Sequence, residues 1–242
     1  FRFCFGSCHL HGAAQDHWGK IDQRNPDLWL WLGDNIYANT RNADVIAAKY
    51  NTVLIGPYGD FRQKYEIDGI WDDHDFGEDN ANRDYPLKEI SQKLHLDFLG
   101  VSETDPRRDT KGIYHTREEA NGRIKFFFLD CRYYKDPKKG RGYDLLGEEQ
   151  WQWLEREIEN STADVNIFIT PIGILLNRFF VTEDWAEYPH EKERLLAKIQ
   201  ECRLSGVFFM SGDKHFGAFI KREHEVNGEK VEFHEFQSSG MT

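Results

Sequence analysis

The ten residues WDDHDFGEDN, Trp71–Asn80, hold five acidic side chains, a histidine and an asparagine directly after an apolar segment. Alone, such a stretch reads as a solvated acidic turn. It is not alone, because ligand-type residues recur wherever an apolar run stops. FRFCF runs into Gly6-Ser7-Cys8, LWLWL into Gly33-Asp34-Asn35, and RIKFFFL into Asp130-Cys131-Arg132. YEIDGIW leads to Asp72-Asp73-His74-Asp75, and GVFFM to Ser211-Gly212-Asp213-Lys214-His215. Carboxylates brought together repel one another, so burying several is costly unless cations neutralise them. Oxygen donors suit calcium, magnesium or manganese, whereas thiolate and imidazole suit iron or zinc. The set contains both kinds, and the chemistry it could do together is metal binding. Arg132 is a candidate phosphate clamp, because a guanidinium matches phosphate oxygens in pairs; its alternative is an ion pair with a nearby carboxylate. His9 and His11 would share a face on a strand, but as loop residues they need not ligate anything and are read as bystanders.

The elements that must position these residues follow from pattern. Short continuous apolar runs bounded by turn residues suit strands buried on both faces. Between them, GEEQWQWLEREIEN places Trp151, Leu154 and Ile158 on one helical stripe, and EKERLLAKIQEC does the same with Leu195, Leu196 and Ile199. Strands alternating with helices predict an α/β architecture, in which ligands bind at the carboxyl ends of the strands. Those ends are where the Cys, Asp, Asp-Asp-His, Asp-x-Arg and Asp-x-His groups fall.

The chain has 242 residues and a formal net charge of −11. That charge argues against a nucleic-acid scaffold or an anionic membrane as partner. A phosphate substrate stays open, since bound cations reverse the local field. Cys4, Cys8, Cys131 and Cys202 show no CxxC spacing, which speaks against a disulfide scaffold or a zinc ribbon. No apolar run reaches the length of a membrane span, and the opening FRFCFGSC reads as a core strand rather than a leader. No linker or internal repeat divides the chain, so residues 1–242 are expected to form one domain. There is no G-x-S-x-G elbow, no P-loop and no G-x-G-x-x-G after a strand.

The segments FGSC, WLGDNIYAN, WDDHDFGEDN, LDCRYY, LLGEEQWQWL, SGDKHFGAF and FQSSGMT resemble, in order and over nearly the whole chain, the motifs of the alkaline phosphatase D family of calcineurin-like metallophosphatases. The resemblance implies a four-layer αββα sandwich, two packed mixed β-sheets flanked by helices. It also implies a cluster of ferric iron beside calcium; manganese, zinc or magnesium would be substitutes. Carried over by residue, Cys8 and Tyr37 would ligate iron, Asp34 would bridge the metals, and His215 would complete the iron's protein ligands. Asp73 and Asp213 would face calcium, and His74 would stabilise or protonate the reacting phosphate. Asp72 is expected to support from behind, and Asp75, Asp79 and Asn80 either to hold a further calcium or to shape their loop.

The implied reaction is hydrolysis of a small phosphomonoester or phosphodiester by a metal-bound hydroxide. Alternatives on the same core are a phospholipase D-like or nucleotide phosphodiesterase and a metal-binding domain that has lost catalysis. The resemblance favours a secreted or periplasmic setting and leaves oligomeric state open. Two departures stand out. Relatives carry Ser-Ser and then Gln where this chain has Thr170-Pro171-Ile172-Gly173-Ile174, and Asp79 replaces a common Asn. Relatives also continue past SSGMT, so a trimmed carboxyl terminus is expected, and a trimmed amino terminus stays open. The aromatic-rich stretch 177–191 is a candidate rim element.

Overall fold

The computed structural model describes residues 1–176, 183–226 and 228–242. The first half alternates β1 (Phe3–Gly6), α1 (His17–Asp22), β2 (Leu28–Leu32), α2 (Ala43–Leu54), α3 (Pro57–Arg62), β3 (Glu66–Ile70), the short α4 (Asp73–Phe76) and α5 (Lys88–Leu99). The second half runs β4 (His115–Glu119), β5 (Ile124–Phe128), α6 (Gly147–Glu159), β6 (Val165–Thr170), α7 (Pro189–Glu201), β7 (Val207–Ser211), β8 (Gly217–Val226) and β9 (Glu229–Ser238).

Two sheets result, one with the order β1-β2-β3 and one with the order β4-β5-β6-β7-β9-β8. The larger is mixed, with antiparallel β4–β5 and β8–β9 pairs flanking parallel β5, β6, β7 and β9. The smaller departs from the expected mixed sheet. Its described strands are all parallel, because helical crossovers join them and a crossover returns the chain in the same direction.

Strand side chains alternate between faces, and this alternation builds the layers. Leu28, Leu30 and Leu32 face Phe126, Phe128, Ile167, Ile169 and Met210 between the sheets. Trp29 and Trp31 point the other way, into Tyr50, Tyr58, Phe61 and Phe98 of the outer helices. On the far side Phe127, Phe168 and Phe209 meet Trp151, Leu154, Leu195 and Ile199 of α6 and α7. The molecule is thus a four-layer αββα sandwich. Every strand face that predicted double burial has an apolar partner layer, each buried side chain contributing about 1.5–3 kcal/mol.

Within each sheet the parallel strands end at the same edge, and the two edges meet. A Cβ on Gly212, after β7, would lie 2.6 Å from Ser7 Oγ and 2.7 Å from Leu32 O. Gly33 has φ +99°, and a Cβ there would stand 2.7 Å from that of Asp72. Both positions need glycine because strand ends from both sheets converge on them.

Candidate metal centre

At this convergence the chain turns abruptly. Cys8, Asp34, Asp213 and His215 adopt left-handed φ angles of 57°, 52°, 67° and 56°, a conformation that costs non-glycine residues of order 1–3 kcal/mol each. The turns aim side chains from different strand ends at one another. Cys8 Sγ lies 3.4 Å from Asp34 Oδ2. The sulfur also accepts from Ser239 Oγ at 2.9 Å and faces Ser7 Oγ at 3.6 Å. The Tyr37 hydroxyl stands 3.0 Å from His215 Nε2. Ligand atoms of Cys8, Asp34 and His215 fall within 4.8 Å of one another, and so do those of Asp34, Asp73 and His74. Asp34 belongs to both groups, and its Oδ1 is buried without a hydrogen-bond partner among the described residues.

The acidic stretch supplies more than ligands. Asp72 caps α4, and the Asp75 carboxylate receives the Asp72 N–H at 3.0 Å, closing a capping box. The same Asp75 carboxylate takes the Asn35 and Ile36 N–H groups at 2.9 and 3.1 Å. It therefore ties the turn after β2 to the turn after β3 and is spent on that task. Burial pushes its acid up to about 7 against four backbone donors. Asn80, with φ 58°, gives its N–H to Asp73 Oδ2 at 2.5 Å and so shapes the loop.

Burial, followed by the charges of Asp72, Cys8 and Asp73, raises the Asp34 acid far above the carboxylate range. Burial raises Cys8 too, against the Ser239 and Ser7 hydroxyls, and Tyr37, where the Asp34 charge adds to it. Asp213 goes up through burial despite Lys214, whose Nζ is 2.9 Å from Oδ2. Sulfur, phenol, imidazole and several carboxylates thus converge under charge that cations would relieve. The donor set fits metal ions.

The structure brings Cys8, Asp34, Tyr37, Asp73, His74 and His215 together. Asp213 lies close enough to feel Asp73, but joins neither triad at that spacing. Arg132 departs from the clamp expectation. Its side chain is only 1% exposed, and its guanidinium engages Asp72 Oδ1 at 2.6 Å, Glu183 Oε2 at 2.5 Å and the Ala81 carbonyl at 3.3 Å. Burying a cation demands such partners, and its described contacts are with carboxylates and a backbone carbonyl. The ion-pair alternative is the one its position matches.

His9 is buried, with Nδ1 against the Asn35 carbonyl at 3.1 Å and its acid pushed down to about 4 by burial. Thr170 turns inward, donating to the Ile172 carbonyl at 3.1 Å and accepting from Trp185 Nε1 at 3.0 Å. The polar groups expected on that side of the site are therefore replaced by core contacts. Of the stretch 177–191, residues 177–182 lie outside the described residues. Trp185 and Tyr188 of its second half are packed into the core.

Two neighbours escaped the sequence reading. Asn39 Oδ1 is 2.6 Å from His74 Nδ1; it lies inside the WLGDNIYAN motif, two residues beyond Tyr37, and that nearness is the only signal it gave. Glu183, buried against Arg132 and Lys135, gave none, being far from both in sequence.

Similarity to known proteins bears on this geometry. Alkaline phosphatase D of Bacillus subtilis (strain 168) is 24% identical over 299 aligned positions, covering 99% of this chain and 50% of that protein. The structure of PhoD superposes with a TM-score of 0.77 at 20% identity, over 99% of this chain and 56% of that one. A dimetal phosphatase from Danio rerio shares the fold at TM-score 0.63 and 13% identity, covering 100% and 88%. The chain therefore spans about half the length of its curated relative. The profile of the PhoD-like phosphatases matches residues 60–242, and with three quarters of its length so matched, the chain belongs to the PhoD-like phosphatase family.

Proposed function

We propose that this chain carries the centre of a metal-dependent phosphoester hydrolase acting on a small phosphomonoester or phosphodiester. One observation carries the reading: the buried Asp34, one oxygen of which has no partner among the described residues, stands between Cys8 and His215 on one side and Asp73 on the other. A carboxylate placed this way suits a bridge between two cations. We assign the softer half, Cys8, Tyr37 and His215 with Asp34, to an iron ion. The oxygen-rich half, Asp73 and Asp213 with Asp34, we assign to calcium; manganese, zinc or magnesium are the substitutes such donors accept.

When bound, the cations supply an activated water and positive charge for the phosphoryl oxygens. The remaining work falls to the chain. His74 Nδ1 faces the acceptor oxygen of Asn39, so that nitrogen carries a proton and the ring is held in one orientation. In the doubly protonated ring Nε2 hands its proton to the leaving oxygen or stabilises its charge. Ring contact with Tyr37, 4.4 Å between centroids, limits the imidazole's tilt. Arg132 acts as a positioning residue, fixing Asp72 and, at 3.8 Å, Asp73.

Asp34→Asn tests the reading by elemental analysis and phosphoester hydrolysis on the same preparation. Loss of both metals together with activity is expected. Full activity, or full metal content with activity gone, would refute the bridging role.

A further inference from the structure

We propose a second, separate metal site formed by Asp144, His190 and Glu191, suited to a zinc-type divalent ion. Ligand atoms of the three lie within 4.8 Å of one another, and none belongs to the centre around Asp34. Asp144 comes from the segment between β5 and α6, and His190 and Glu191 from the first turn of α7.

The buried member makes this more than a surface cluster. Glu191 is 3% exposed. Its Oε2 is fully engaged, accepting from Trp151 Nε1 at 2.7 Å and Leu146 N at 3.2 Å. Its Oε1 stands 3.6 Å from His190 Nε2, too far for a hydrogen bond. A carboxylate oxygen of a buried residue thus faces an imidazole nitrogen across a gap. Two donors each about 2.1 Å from one tetrahedral ion stand about 3.4 Å apart, so the gap has the width a shared cation requires. Asp144 is exposed at its edge, and its carboxylate makes no ion pair among the described residues.

The donor set selects the ion class. One nitrogen and two carboxylates, with a position open to water, match a zinc-type site, whereas calcium takes six to eight oxygens. Loading has a local cost. Gly142 N–H points at His190 Nδ1 at 3.3 Å, so the neutral ring carries its proton on Nε2, in the gap. The cation displaces that proton, the ring then carries one on Nδ1, and the Gly142 peptide must turn away. Gly142 has room for this: a Cβ there would meet nothing within 4 Å. A bound ion would fasten the loop around Asp144 to the head of α7.

The test compares the full chain with His190→Ala and Asp144→Asn, each stripped with chelator and titrated with zinc alone. Zinc per chain is counted by elemental analysis, and thermal melting is followed with and without zinc. Zinc held at the Asp34 centre is common to all three proteins, so the difference isolates the new site. Both variants should bind about one zinc fewer per chain, with residual affinity there at least roughly tenfold weaker. Both should show a smaller zinc-dependent rise in melting temperature, and as purified both should hydrolyse phosphoester like the parent. Zinc counts and melting shifts equal to the parent's in both variants would overturn the site. Should His190→Ala fold poorly by circular dichroism, Asp144→Asn, altered at an exposed side chain, decides alone.

Discussion

At the scale of single residues, the proposed centre depends on partners that are not themselves assigned to a metal. Asn39 is the clearest case, because its oxygen 2.6 Å from His74 Nδ1 decides which ring nitrogen faces outward. Asn39→Ala should lower turnover by about ten- to a hundredfold through misorientation, with KM and metal content little changed. The informative comparison is Asn39→Ala placed on His74→Ala. If Asn39 works through the imidazole, the double variant is no slower than His74→Ala alone. An undiminished further loss would mean that Asn39 acts by another route. The ligand types were legible from the sequence because Cys, Asp and His at the ends of apolar runs are conspicuous. Which of the two roles open to Arg132 holds was not legible, because its partner Glu183 approaches only in the folded chain.

At the scale of elements, the Arg132–Glu183 pair joins the turn after β5 to the segment leading into α7, and Lys135 adds a second bond at 2.6 Å. Burial alone would raise the Glu183 acid, but the Arg132 and Lys135 charges outweigh it and bring it down to about 2. A carboxyl lowered on folding contributes stability that is present above its unfolded value and lost as pH falls through the folded one. The window here runs from 4.5 down to about 2. Glu183→Gln should therefore melt well below the parent at pH 7, with the gap closing between pH 4.5 and 2. A gap independent of pH across that window would show that the carboxylate's charge is not what holds these elements.

At the scale of the molecule, two sheets place their strand ends against each other and concentrate negative charge where they meet. The raised Asp34 acid means that its stabilising contribution is complete only below the unfolded value and is lost as pH rises. Without metal at neutral pH, that carboxylate opposes folding. Asp34→Asn should then melt higher than the parent in chelator and lower than the parent when both are supplied with metal, since ions that bind only the folded state stabilise it. Thermal scans under the two conditions check this crossing. The same order in both would mean that the carboxylate is not held by cations.

By itself, the sequence determined the layers and which residue types stand at the strand ends. Strand-length apolar runs fold where they read as strands, because each needs an apolar partner on both faces, and Leu28, Leu30 and Leu32 divide from Trp29 and Trp31 as alternation requires. Only the tertiary structure decided which polar residues meet. It set Asp75 to joining two turns, turned Thr170 into the core, paired Arg132 with Glu183, and brought Asp144 to His190 and Glu191. Burial of apolar groups is non-directional and repeats with the chain's own period, so a linear pattern records it. Hydrogen bonds and ion pairs act over a few ångströms between residues distant in sequence, and no linear pattern encodes that distance.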